Sequence, residues 1–183
     1  MKKIIFVLCF IPILLFGQED YEKLPGYVDL SELEGLKDAD ETVEVFITKP
    51  LLSMVASMSS SEDSSLSNLL GNLALIRVEK FSLSEKKMEK VKNFIDRVSK
   101  KLNKEKWSRI VRVKEANERV EIFLKNQGKH VAGLLIMALE ENKEAVFINI
   151  VGRINMEQLG KLSKKFNIPE LDSVGVEKKK GKN

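Results

Sequence analysis

Four extended runs follow one another between residues 107 and 154, separated only by tight turns, and no other feature of this 183-residue chain restricts its fold so strongly. The first, 107–114, alternates Trp107, Ser108, Arg109, Ile110, Val111, Arg112 and Val113, and Ala116-Asn117 turns the chain. The second, 118–125, places Val120, Ile122 and Leu124 on one face. Asn126-Gln127-Gly128-Lys129 follows as a turn in which Gly128 is free to take a positive φ. Residues 130–139 are the most apolar run and read as a central strand. After a turn at 140–143, residues 144–154 set Val146, Ile148 and Ile150 opposite Phe147, Asn149 and Val151, with Gly152 marking a bulge. A period of two with short connections calls for antiparallel neighbours.

Upstream, 42–48 reads as another strand, Val43, Val45 and Ile47 alternating with Thr42, Glu44 and Phe46. Lys49-Pro50 ends it, and Pro50 suits the start of a helix carrying Leu51, Leu52, Val55 and Met58 at helical spacing. Seven serines lie between Ser57 and Ser67, beside Glu62 and Asp63. No Gly-x-Ser-x-Gly elbow frames any of them, so they read as a mobile loop or helix-capping segment rather than a nucleophile site. Residues 66–73 make one or two helical turns. Residues 74–82 form a strand that is apolar from Leu75 to Val78 apart from Arg77, as expected where both faces are covered.

The clearest helix spans 84–103. Ser82 and Glu85 have the capping-box spacing, and Met88, Val91, Phe94, Ile95, Val98 and Leu102 make one stripe, with Lys86, Lys87, Lys90, Lys100 and Lys101 mainly away from it. Such a stripe packs on a sheet, or lies on a membrane surface when the helix is basic. Asn155 caps a final helix with Gln158 closing its box; Met156, Leu159, Leu162 and Phe166 are its buried edge, and Asn167 and Pro169 stop it. The order β-α-β-α-β-β-β-β-α predicts an α+β fold: a mostly antiparallel sheet of five to six strands with helices packed on one face.

The N-terminus reads as an address. Lys2 and Lys3 precede the apolar run from Ile4 to Phe16, and Gly17-Gln18 is the expected cleavage point of a Sec signal peptide over 1–17. The run is shorter than the roughly 20 residues a spanning helix needs, and Pro12 interrupts it. Cys9, the one cysteine, lies inside the run and not after it, so it is no lipidation site; cleavage leaves a cysteine-free mature chain without disulfides or thiolate chemistry. The remaining organisation is an acidic arm at 18–41, a single α+β domain at 42–171 and a basic disordered tail at 172–183. From Glu19 to Glu44 there are ten acidic and two basic residues, a net of −8, in a chain whose total is +4. Removing Lys2 and Lys3 lowers that total to +2, and the body beyond Glu44 carries about +10. The contrast has two readings: solvated faces that attract one another weakly, or a basic body that meets an anionic partner such as lipid headgroups. Nucleic acid is not expected, because no aromatic-interleaved basic stripe or groove-reading motif occurs.

A search for chemistry yields no catalytic, cofactor-binding or metal-ligating residue. The single histidine, His130, sits beside a turn without a framed nucleophile, and with carboxylates alone it is a poor zinc set. Glu19-Asp20 and Asp38-Ala39-Asp40-Glu41 supply oxygens without a calcium-loop pattern. Glu140-Glu141 falls in a hairpin turn, where both carboxylates are solvated. Gly71, Gly128, Gly133 and Gly152 are isolated and form no phosphate loop.

The stretch from Val43 to Leu52, the strand 74–81, and the closing run that contains Ile150-Val151-Gly152-Arg153-Ile154-Asn155 resemble the DUF-4252 family, over about residues 42–168. These are exported proteins of Bacteroidetes-type bacteria whose function is not established. The resemblance implies a periplasmic or envelope-associated α+β domain, sometimes a lipoprotein, with an envelope-regulatory role suggested by neighbouring sigma-factor genes; it carries over no functional residue. The expected function is a non-catalytic envelope interaction or regulatory domain whose sheet face or 57–67 segment contacts another envelope protein. Weak contact of the lysine-rich helix and tail with an anionic membrane surface is a lesser expectation, and the oligomeric state is open. The alternative is a small-ligand carrier or hydrolase-type enzyme, which needs a pocket between the sheet and the 84–103 helix lined by groups such as Arg112, Asn149 or His130.

Overall fold

The computed structural model describes residues 20–36, 41–59 and 63–155. The expected signal peptide over 1–17 with Cys9, the expected final helix after Asn155 and the segment 172–183 lie outside them.

Six strands form one antiparallel sheet: β1 (Thr42–Thr48), β2 (Leu73–Ser82), β3 (Ser108–Lys114), β4 (Glu118–Gln127), β5 (His130–Glu140) and β6 (Glu144–Ile154). Their spatial order is β1-β2-β6-β5-β4-β3. The alternation that marks β3 to β6 yields the expected meander. β2 then pairs with β6, which joins the antiparallel β1–β2 pair to the meander. Three α-helices accompany the sheet among the described residues: α1 (Lys49–Ser59), α2 (Ser64–Asn72) and α3 (Glu85–Lys104). The serine-rich segment is helical on both sides of residues 60–62. Ser57 and Ser59 close α1, and the Asp63 carboxylate caps α2 by accepting from the amides of Ser65 and Leu66, each at 3.0 Å.

The helices are shared between the two faces, which differs from the expected single helical layer. α3 lays Val91, Phe94, Ile95, Val98 and Leu102 on the face that carries Phe81, Phe123, Leu135, Met137, Leu139 and Phe147. On the opposite face, Leu52 of α1 and Leu69 of α2 cluster with Ile122, Leu124 and Leu134. Strand side chains alternate between faces, so a sheet apolar in both registers needs a cover on each. The start of α3 also departs from the capping-box expectation. Ser82 still belongs to β2, and Ser84 occupies the N-cap without a side-chain capping bond.

The acidic N-terminal segment is held by packing as well as by charge. Val28, Leu30 and Leu33 are almost fully buried within the α3-side core. The stretch 27–30 joins no strand of the sheet. Backbone meets backbone where this segment crosses β5: a Cβ added to Gly133 would lie 2.4 Å from the Gly26 Cα. Asn149 completes the latch. Its Oδ1 accepts from the Val28 amide at 2.9 Å, and its Nδ2 donates to the carbonyls of Gly26 and Leu134 at 3.0 and 3.1 Å. Gly152, at φ 142°, sits opposite the register shift at Leu73/Leu75, where the bulge was expected.

Candidate functional site

The groups that a pocket between sheet and α3 would need do not converge. Asn149 is buried and fully engaged in the latch. Arg112 is exposed on the edge strand β3. His130 opens β5, its Nε2 3.1 Å from a terminal nitrogen of Arg153. Beneath the middle of α3 the space to the sheet is filled, the Phe94 and Phe147 rings meeting edge to face at 5.5 Å between centroids. A cleft of about 270 Å³ opens between α3 and the strand ends, lined by Asn93, Asp96, Glu118 and Arg119 among others, and holds none of the three groups. The turn carboxylates are ion-paired, Glu140 with Lys143 and Glu141 with Lys92 at 2.5 Å. A cleft of about 690 Å³ opens beside the N-terminal segment, lined by Tyr27, Phe46, Arg77, Lys101 and Glu105 among others, and contains none of the three expected groups.

Two buried carboxylates lie on the α3 face, and the sequence reading assigned no role to either. Glu44, Glu79, Phe147, Met137, Glu121 and Arg112 stand side by side in one row across all six strands. A half-turn about an axis between Phe147 and Met137 exchanges Glu79 with Glu121, Arg77 with Arg119 and Phe81 with Phe123. The signal was present twice in the chain as Arg-Val-Glu-x-Phe, at 77–81 and 119–123. Each arginine turns onto the glutamate two residues along its own strand. Arg77 reaches Glu79 Oε1 through Nε at 2.7 Å and Nη2 at 2.6 Å; Arg119 reaches Glu121 Oε1 at 3.0 and 2.7 Å.

The surroundings push the two carboxyls in opposite directions. Burial pushes Glu79 up, Glu44 beside it adds to the rise, and Arg77 only partly offsets them, so its pKa lies above the ordinary 4.5. Burial also acts to raise Glu121, but Arg119, Ser99 and Arg109 more than offset it and hold its carboxyl below the ordinary value. Ser99 Oγ donates to Oε2 at 2.9 Å, and Arg109 Nη1 lies 3.3 Å from the same oxygen. Arg77 is also stacked over Phe46, 4.8 Å from the ring centroid. Glu79 and Glu121 are fully buried, whereas Glu44 and Phe46 are exposed and Arg77 borders the cleft beside Tyr27.

The surface that remains unsatisfied is elsewhere. Among the described residues, every large apolar side chain that is strongly exposed falls between positions 43 and 58: Val43, Val45 and Phe46 on β1, and Leu51, Met54, Val55 and Met58 on α1. Phe46 is 51% exposed and Met58 73%. The helix is rolled so that Leu52 and Ala56, one turn apart, face the core. Leu51, Val55 and Met58, which the spacing grouped with Leu52, therefore point outward. β1 is also an edge strand, hydrogen-bonded to β2 alone. Its register runs unbroken, and its seven residues include no proline and no cation. The opposite edge is defended. β3 carries Arg109, Arg112 and Lys114, and a register shift interrupts it between Arg109 and Val111.

The family model described as Domain of unknown function (DUF4252) matches residues 36–162. The chain belongs to this family. Its DUF4252 region takes in all six strands and all three helices, so the β1–α1 surface lies inside the family domain, whereas Val28, Leu30 and Leu33 precede it. No curated protein and no solved structure shows a detectable match to the chain. No helix among the described residues is long and apolar enough to cross a membrane.

Proposed function

We propose that this DUF4252 protein is exported and acts in the cell envelope as a non-catalytic binding domain, through the surface formed by β1 and the outer side of α1. The observation that carries this reading is the confinement of the exposed apolar side chains to one segment that also presents a free strand edge. An exposed edge offers a row of backbone donors and acceptors, and the apolar side chains beside it supply area to bury; together these are the elements of strand addition by a protein partner. Methionines 54 and 58 suit such a surface, being flexible enough to fit a partner's contours.

Other readings find less support. A carrier or hydrolase would draw on converging polar groups, and Arg77, the buried cation of the cleft beside Tyr27, is already engaged by Glu79 and Phe46. Membrane contact by α3 would need its apolar stripe, which is packed on the sheet; only its lysines remain for an anionic surface. The N-terminal address supports export, with the envelope form beginning at Gln18.

A photoreactive side chain at Met54 tests the reading in cells. Light is expected to join the chain to a protein of the envelope fraction in high yield from position 54 and not from Arg112 on the opposite edge. Equal adducts from both positions, or recovery of the protein in the cytoplasm alone, would overturn it.

A further inference from the structure

We infer that the partner of β1 is β1 of a second copy of this chain, paired antiparallel about a two-fold axis that passes through Val45. The inference rests on the reading of β1 and α1 as a contact surface and names its occupant. The strand reads Thr42-Val43-Glu44-Val45-Phe46-Ile47-Thr48 and is nearly the same in both directions. A two-fold pairing joins residues whose numbers are symmetric about the axis, and the sheet stays continuous only if both members of each pair share a face. With the axis at Val45, Thr42 opposes Thr48, Val43 opposes Ile47, and Val45 opposes itself. The remaining pair sets Glu44 against Phe46. Pairs of β-branched residues and of threonines are among the favourable cross-strand combinations, and no two like charges meet. Moving the axis to Glu44 would set two carboxylates against each other. Moving it to Phe46 would set Val43 against Lys49 and leave Thr42 beyond the partner's strand.

Both faces of the new junction are consistent with this pairing. Val43, Val45 and Ile47 lie on the face shared with Ile76 and Val78, so the second copy extends an existing apolar surface. Val43 and Val45 are 49% and 37% exposed and gain cover from the partner's Ile47 and Val45. The edges divide the labour: the basic, interrupted β3 stops growth of the sheet, so pairing through β1 closes at two copies and does not run on into a fibre.

The test uses protein purified from its native envelope. Light scattering and sedimentation equilibrium are expected to give the mass of two chains. Val45→Lys, which places two ammonium groups opposite each other on the axis, is expected to raise the dissociation constant by more than about tenfold, with the circular dichroism spectrum unchanged because the side chain is already partly exposed. Val45→Cys is expected to join to itself with a short bismaleimide, and Arg112→Cys is not. The mass of one chain at every concentration, an unaltered dimer of Val45→Lys, or self-joining through Arg112→Cys in preference to Val45→Cys would overturn the inference. A single-chain mass together with Met54 adducts to a different envelope protein overturns self-pairing and leaves the contact surface standing. A single-chain mass without any Met54 adduct overturns both.

Discussion

Gly133→Ala is expected to release the N-terminal segment from the sheet and to lower the unfolding free energy by about 3–5 kcal/mol. The added Cβ would stand 2.4 Å from the Gly26 Cα and 2.5 Å from its carbonyl oxygen, both backbone atoms that cannot rotate away. Overpacking of this kind typically costs about 1–3 kcal/mol when the surroundings can yield. Here the only way to yield is for residues 26–33 to lift. That exposes Val28, Leu30 and Leu33, each worth roughly 1.5–3 kcal/mol when buried, against which the freed backbone recovers conformational entropy. Denaturant titration measures the loss, and limited proteolysis locates it: cleavage between Leu24 and Leu36 should accelerate while the sheet stays resistant. An unchanged midpoint with an intact N-terminal segment would show that the backbone contact is not what holds it.

Arg119→Met is expected to cost about 3 kcal/mol at neutral pH, because it strips the main partner from a carboxylate whose side chain is 1% exposed. The pH dependence identifies the cause. The Glu121 pKa is held below the ordinary 4.5, so its ionised form contributes stability that is present above that value and is lost as the pH falls through the depressed folded pKa. In Arg119→Met, burial is opposed only by Ser99 and Arg109, the carboxyl titrates higher, and the difference from the unaltered protein should shrink as the solution is acidified below the ordinary carboxyl range. Glu79 has the opposite sign: its raised pKa makes its contribution full below 4.5 and diminishing as the pH rises through the folded value. A constant difference between Arg119→Met and the unaltered protein at all pH values would assign the loss to packing of the arginine stem instead.

The strand meander was legible because β3 to β6 each alternate over seven or more residues and their turns carry Asn, Gly or paired charges. α3 was legible from Val91, Phe94, Ile95, Val98 and Leu102, whose period of 3.6 admits one burial pattern. Other elements depended on non-local partners. Val28, Leu30 and Leu33 sit among acidic residues, and nothing local reveals that Gly26 and Gly133, 107 positions apart, allow two backbones to touch. Asn149 occupies a core register, where its three hydrogen bonds are visible only once the N-terminal segment is in place. Arg77 looked like one break in the apolar run from Leu75 to Val78; its pairing with Glu79 and their relation to Arg119 and Glu121 emerge from the strand order, which brings the two copies of Arg-Val-Glu-x-Phe to equivalent places about the sheet centre. The contact surface was obscured for a different reason. Leu51, Val55 and Met58 have core-like spacing, and only the roll of α1 onto Leu52 and Ala56 shows which side of the helix is covered.

The division into a filled interior and one open apolar edge can be tested amide by amide. Hydrogen exchange measured on the protein in its envelope, and again on dilute purified protein, compares the same backbone with and without a partner. Amides of β1, from Thr42 to Thr48, and of α1 are expected to exchange at least about tenfold more slowly in the envelope, with β3 and α3 unchanged. Unchanged exchange across β1 together with new protection along the lysine face of α3 would contradict the assignment and move the working surface to the other side of the molecule.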